Sequence, residues 1–422
     1  MIYFFKKKIF LNIRNNLIIL GIFLICLDSY TISEFPIPWI GLMLCMVCCI
    51  QNKIMPFSKI LYLMILLILI LIITTFINYE ENSAPLSFIA LRFLNIIAFL
   101  IILNYFAYQK YKNHNFLYLE KNIINIGLFF SIVAILLFFI HMLNLQEINF
   151  IDLFRNRLTT GAGKEYPTTY NFNFDQDNFS YYRSNGTFRE PSLLVNALIL
   201  PLFLSIKNQR YFSMIIIGIS IYMTYSLAIL IAMIFGIIFS LLVIYKKKIL
   251  LKNSLLLMLL SVFLAYLLFK FGNIFSNVYV ERLIHLGENN SRDYIYQNLD
   301  IILGDYWTGN GIGYGFFKLA EHMFGSSAVP VSFLSLPLNI WSAGGILSLI
   351  IIIFLISYHN ISTLMNFNNF NRNLYLLITP LNVFLILYFS SFEELHIWHA
   401  ITLGMYLSYL ADFNKKNIKK QL

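Results

Sequence analysis

Three observations predict an all-α integral membrane protein of about twelve transmembrane helices with two long exterior loops. Of the 422 residues, 59% are hydrophobic, 17% aromatic and only 12% charged, where a soluble domain carries about a quarter charged residues. Apolar runs of near-spanning length recur along the chain, and mean hydropathy is +0.73. The positive charges sit in short clusters between those runs. Backbone groups in lipid must be satisfied within their own segment, so the runs read as helices rather than open strands. The net charge of +10 is then a topology signal, and a nucleic-acid partner is not expected.

The apolar runs place spans at 15–33, 37–51, 60–77, 86–105, 123–143, 191–206, 211–225, 227–245, 253–271, 333–356, 374–390 and 397–412. Lys6-Lys7-Lys8 precedes the first run, but no small-residue cleavage site follows it. It reads as a retained span rather than a signal peptide. Lys6–Lys8, Lys53 with Lys59, Lys110 with Lys112, Lys207 with Arg210, Lys246–Lys248, Arg372 and Lys415–Lys420 all fall on one side. By the positive-inside rule that side is the cytoplasm, with both termini there. The exterior side receives Glu34-Phe35-Pro36, Glu80-Glu81 and Glu393-Glu394. The chain divides into five spans over 1–143, a long loop over 144–190, four spans over 191–271, a second long loop over 272–332, and three spans over 333–422. Loops of such length are functional or carry structure of their own.

All four cysteines, Cys26, Cys45, Cys48 and Cys49, fall inside the first two apolar runs. The CxxC spacing of Cys45 and Cys48 has no second pair and no nearby histidine, so these side chains read as small apolar fillers.

The exterior loops carry the chemistry. The stretch Arg183-Ser184-Asn185-Gly186-Thr187-Phe188-Arg189-Glu190-Pro191-Ser192 abuts an apolar run. Pro191 suits a helix start, and Glu190 beside a helix N-terminus is held ionised, able to accept a proton or orient an arginine. Upstream, Tyr166–Tyr182 alternates aromatic and amide side chains. That pattern suits sugars, whose C–H faces stack on rings, and equally suits a loop lying at headgroup level. The second loop holds Arg282, Arg292, His322 and a glycine-rich run, Gly309–Gly315. With no βαβ context the run is not a dinucleotide loop. It permits a tight turn with close backbone approach to a ligand, or a plain turn. Arg183, Arg189, Arg282 and Arg292 together suit a lipid pyrophosphate, because a planar guanidinium grips phosphate bidentately. Arg92 lies inside the fourth span near its exterior end, where it serves a site or snorkels to the interface. His322 is a candidate acid or base. His396 and His399 flank the last span without HExxH order and read as interfacial. Asp175-Gln176-Asp177 is a weak metal-ligand pair, and no P-loop is present.

Arg183-x-x-Gly186-x-Phe188-x-Glu190-Pro191-Ser192 at the end of a long exterior loop resembles the signature of the bacterial O-antigen polymerase and ligase superfamily. The downstream order is similar too: Thr224-Tyr225-Ser226 between two spans, Ser291-Arg292 and Gly309–Gly315 in a second loop, then a span running through Gly344-Gly345. The resemblance covers roughly 180–350. It implies a GT-C-like, metal-independent glycosyltransferase with no cofactor, working at the periplasmic face of the inner membrane. Its donor and acceptor would be oligosaccharide repeat units linked to undecaprenyl pyrophosphate, and it would work with a chain-length regulator and a flippase. Carried over, Arg183 and Arg292 would bind pyrophosphate; Arg189, Arg282 and Arg92 are further anion-binding candidates from their positions in the chain alone. Glu190 braces or activates the acceptor hydroxyl, with His322 as a second catalytic candidate. Ligases place a His-Asn pair before the span that opens here at Ser332, where this chain has Val331-Ser332-Phe333. Leu227 also stands where the family often has a basic residue. Both departures favour polymerase. The alternatives are an O-antigen ligase acting on lipid A-core and a lipid-linked oligosaccharide flippase.

Overall fold

The computed structural model describes residues 2–32, 35–50, 58–108, 114–143, 172–173, 180–181, 184, 186–188, 191–224, 226–245, 297–325, 335–365, 372–390 and 392–421. Thirteen helices run through them: α1 (Ile2–Ile25), α2 (Ile37–Cys49), α3 (Ser58–Ile77), α4 (Leu86–Tyr108), α5 (His114–Met142), α6 (Pro191–Lys207), α7 (Tyr211–Tyr222), α8 (Leu227–Tyr245), α9 (Leu299–Leu303), α10 (Tyr314–Phe324), α11 (Leu336–Met365), α12 (Arg372–Ser390) and α13 (Ile397–Gln421). The only strands among the described residues form two antiparallel pairs, Thr31–Ile32 with Phe35–Pro36 and Phe172–Asn173 with Ser180–Tyr181. Eleven of the twelve expected spans fall on helices, and 253–271 lies outside the described residues. Among the described residues, four helices are long and apolar enough to cross a membrane, over Ile60–Ile77, Leu86–Tyr108, Phe116–Ile140 and Leu336–Thr363.

The first expected span, 15–33, ends early. The helix stops at Ile25, and Leu27–Tyr30 turn the chain into the first hairpin. Local apolarity does not set this end; a tertiary tie does. Ser29 N–H donates to Thr187 O at 3.0 Å, and the Thr187 hydroxyl donates to Cys26 O at 2.6 Å. The Gly186–Phe188 segment is fastened on its other side as well. The Ser184 hydroxyl reaches Ala134 O of α5 at 2.9 Å, and Gly186, at φ +56°, would press a Cβ to 3.1 Å from Ala134 Cβ.

Small residues set the closest helix crossings. At α1–α2, a Cβ on Gly41 would stand 2.5 Å from Gly21 O, and one on Gly21 would stand 2.6 Å from Cys45 Sγ. All four cysteines are buried and unpaired, and Cys45 fills this crossing as a small apolar side chain does. Helix α4 packs along α13, α3 along α11, and α8 along α12.

The glycine-rich run makes its close approach to protein. Helix α11 is broken at Gly344–Gly345, where Gly345 has φ +70° and ψ −171°. Into the break fits the segment 306–312: Asn310 N donates to Ser342 O and Gly311 N to Ala343 O, both at 2.9 Å, while Ile346 N donates to Tyr306 O at 3.1 Å. Helix α3 holds the other flank through Ile312 N to Thr75 Oγ1 at 3.0 Å and Asn78 Nδ2 to Gly309 O at 3.0 Å. Backbone groups freed by the break are satisfied by neighbouring chain, as buried backbone polar groups require.

Candidate functional site

At the end of the bundle where α1 stops and α2, α4, α6 and α13 begin lies a cavity of about 480 Å³. Its apolar wall includes Trp39, Leu42, Phe88, Phe99, Phe188 and Trp398. Its polar lining is Asp28, Arg92, Asn95, Asn196, Glu393, Glu394 and His396. A second, far smaller cavity of about 30 Å³, walled by Ile312, Gly313, Phe316 and Ile340, shares Arg92, Asn95, Glu393, Glu394 and Leu395 with the first.

Arg92 therefore lines both cavities. Its position in an apolar helix demands a partner, because an unpaired charge there is expensive. The partners come from the 392–396 turn between α12 and α13. Arg92 Nη2 donates to Glu393 Oε1 at 3.3 Å, and its Nη1 faces Glu394 Oε1. The guanidinium also lies 4.6 Å from the Phe88 ring centroid and 4.9 Å from that of Phe316, a favourable stack for Arg. One turn along α4, Asn95 Nδ2 donates to Glu394 Oε2, and Asn339 Nδ2 of α11 holds Glu393 O at 2.7 Å. The carboxylates are thus fixed in place while remaining open to the cavity: the Glu394 side chain keeps 31% of its surface against 13% for Arg92.

His396 closes the same turn. Its ring stacks on Tyr388 and meets Phe392 edge-on, with centroids 4.4 Å apart in the latter pair. Burial pushes its imidazole down to about 4; Asp28 opposes the shift and Arg92 adds to it. It is neutral at pH 7 and can accept or donate one hydrogen bond. His396 lines the cavity, and His399 is buried in the bundle with its Nδ1 3.0 Å from Tyr388 Oη. The two are one helical step apart, so the same tyrosine reaches both.

Among the sequence-derived candidates, Arg92 is placed on the cavity. His322 is not: it sits exposed in the last turn of α10 and lines neither cavity. Arg183, Arg189, Glu190, Arg282 and Arg292 lie outside the described residues. The residues on either side of Arg189-Glu190 are described, and Phe188 and Leu193 both line the large cavity. Asp28, Asn196, Glu393, Glu394 and His396 were not anticipated as a group. The available signal was Arg92 itself, whose burial calls for a carboxylate from another exterior-side segment, and Glu393-Glu394 is the adjacent pair nearest a span start. Among the described residues, no three His, Cys, Asp or Glu side chains converge as metal ligands would.

Scans against family models, curated proteins and solved structures each return no match for this chain.

Proposed function

We propose that this chain is a GT-C-like membrane glycosyltransferase with about twelve spans that polymerises oligosaccharide repeat units carried on undecaprenyl pyrophosphate, at the periplasmic face of the inner membrane. The observation that carries the reading is the large cavity bordered by Phe188, inside the signature stretch and next to Arg189-Glu190, and by Leu193, just after that stretch. Every helix end around it belongs to the side opposite the lysine clusters, which supports an exterior site. In the reaction, an acceptor hydroxyl oxygen bonds to the donor anomeric carbon while the bond from that carbon to pyrophosphate breaks. The electron pair leaves with undecaprenyl pyrophosphate, and the hydroxyl proton passes to a carboxylate. Pyrophosphate is a good leaving group, so positioning and charge stabilisation by arginine carry most of the catalysis. Arg183 and Arg292 are the proposed pyrophosphate ligands, and Glu190 the acceptor-side carboxylate.

The deciding experiment is a gel ladder of surface glycan from a strain lacking this chain, with and without complementation. A polymerase leaves a single repeat unit on the lipid core, whereas polymer stranded on undecaprenyl pyrophosphate identifies a ligase. A second reading, a lipid-linked oligosaccharide transporter, is favoured by the break in α11 at Gly344–Gly345 beside the small cavity that Arg92 lines, since transporters place interrupted helices at their sites. Repeat units trapped on the cytoplasmic face would establish it. A reporter fused after Lys248 should read cytoplasmic and one within 300–320 exterior.

A further inference from the structure

Helix α3 carries a stripe of exposed apolar side chains, Tyr62, Leu66, Leu69, Ile73 and Phe76, at the spacing of one helix face. The stripe gives way to exposed carboxylates at Glu80 and Glu81. From Lys59, on the lysine-marked side, to Asn78 the helix rises about 28 Å, close to the roughly 30 Å of a bilayer's hydrocarbon. Where α3 crosses a membrane, Asn78 therefore stands at the exterior edge of that layer. Asn78 Nδ2 holds Gly309 O at 3.0 Å, which brings the turn 305–308 to the same level. At its tip Trp307 is 76% exposed, and Tyr306 beside it is 40% exposed. The turn is nonetheless tightly tied. Tyr306 O accepts from Ile346 N at 3.1 Å and from Trp341 Nε1 at 3.0 Å. Asp305 Oδ1 accepts from Trp307 N at 2.9 Å and from Thr308 N at 3.2 Å, and Tyr306 Oη donates to Asp300. Asp300 and Asp305 are themselves exposed. A large ring held outward on a fixed backbone loses little freedom when it is covered. These rings sit where an uncharged apolar stripe meets carboxylates, the setting that tryptophan and tyrosine occupy at a membrane–water boundary.

We infer that the 305–308 turn is an interfacial anchor, with Trp307 and Tyr306 seated among the headgroups of the exterior leaflet, so that the partner of this surface is the lipid itself. This rests on the reading that α3 spans the membrane and not on the glycan chemistry. The exposed stripe of α3 runs up to the anchor without a charged residue between Tyr62 and Phe76, so the two form one continuous lipid-facing surface. The anchored segment continues into Ile312 and Gly313, which wall the small cavity beside Arg92. The anchor thereby holds the Arg92 cluster at headgroup depth, where the polar part of a lipid-linked substrate lies.

The test reconstitutes the full-length protein into phosphatidylcholine vesicles whose acyl chains are brominated either near the headgroup or near the chain terminus, and follows tryptophan fluorescence. Subtracting the signal of Trp307→Phe isolates Trp307; if that variant fails to accumulate, Trp307→Tyr supplies the same difference. The expected result is stronger quenching of the Trp307 signal by the shallow bromines than by the deep ones, with partial shielding from aqueous iodide. Leu69→Trp, midway along the stripe, should add a signal quenched most by the deep bromines. A Trp307 signal open to iodide and untouched by either lipid would overturn the anchor and leave the turn to a protein or glycan partner. Strongest quenching by the deep bromines would overturn it too, by placing the turn in hydrocarbon. The Leu69→Trp signal separates this from the spanning reading. Deep quenching at position 69 without shallow quenching of Trp307 keeps the span and removes the anchor. Shallow quenching of Trp307 with no deep quenching at position 69 keeps the anchor and removes the span.

Discussion

Two ion-paired clusters tie the bundle together at opposite ends, and they are built differently. At the end where α5 begins and α6 finishes, Lys207 Nζ meets Glu120, with side-chain exposures of 3% and 0%. Tyr409 Oη donates to Glu120 Oε1 at 3.2 Å, Asn208 Nδ2 reaches Oε2 at 3.4 Å, and the ammonium lies 4.7 Å from the Tyr409 ring centroid. Each carboxylate oxygen is occupied and neither described cavity touches the pair. At the other end, Arg92 faces two glutamates that stay open to a cavity of about 480 Å³. The first cluster has matched charges and full coordination, as a fastener should. The second sets two glutamates against one arginine and leaves Glu394 part-exposed beside a cavity, which is wasteful for a fastener and suited to a ligand.

The sharpest way to break this contrast is to remove one partner at each end. Lys207→Met strands a fully buried carboxylate and should lower stability by about 3–5 kcal/mol, read as a fall in thermal midpoint in detergent; adding Glu120→Gln should recover most of it. Arg92→Met leaves carboxylates that the cavity can hydrate, so the loss should be about 1–2 kcal/mol, between exposed and buried pairs, while the glycan ladder collapses. If the two losses prove equal and the ladder survives, the open cluster is a fastener too.

The frame behind the open cluster is tested by Gly345→Ala. A Cβ there would lie 2.1 Å from Trp307 O at φ +70°, so the 306–312 segment must lift from α11. A loss of about 1–3 kcal/mol is expected, with faster proteolysis between 297 and 325. Unchanged proteolysis would mean the backbone pairing is not what holds that segment.

The smallest effect sharpens the comparison by pH. His396 is held at about 4 against an ordinary 6.5, so between these values the unfolded chain binds more protons than the folded one. Stability should be flat above 6.5 and fall as pH drops toward 4. His396→Gln should flatten that slope, checked by thermal midpoints across the range. An unchanged slope would place the titration elsewhere.

Sequence alone determined the helical class and the position of nearly every helix, because apolar run length and lysine placement are local properties that lipid and charge act on directly. It also marked Arg92, since a charge in an apolar run stands out without any partner in view. What tertiary structure decided is who meets whom. Glu120 and Lys207 lie 87 positions apart and Arg92 and Glu393 lie 301 apart, so no window along the chain contains either pair. Lys207, which reads as a topology marker, proves to be a buried ion-pair member. The glycines of 309–315, which read as a ligand approach or a plain turn, serve a break in another helix. Asn196 sits in an apolar run, and only the packing of α6 against the cavity leaves its oxygen without a donor. Periodicity records which face of a segment is buried, but the charge and hydrogen-bond balance of a site is a sum over segments that only folding brings together.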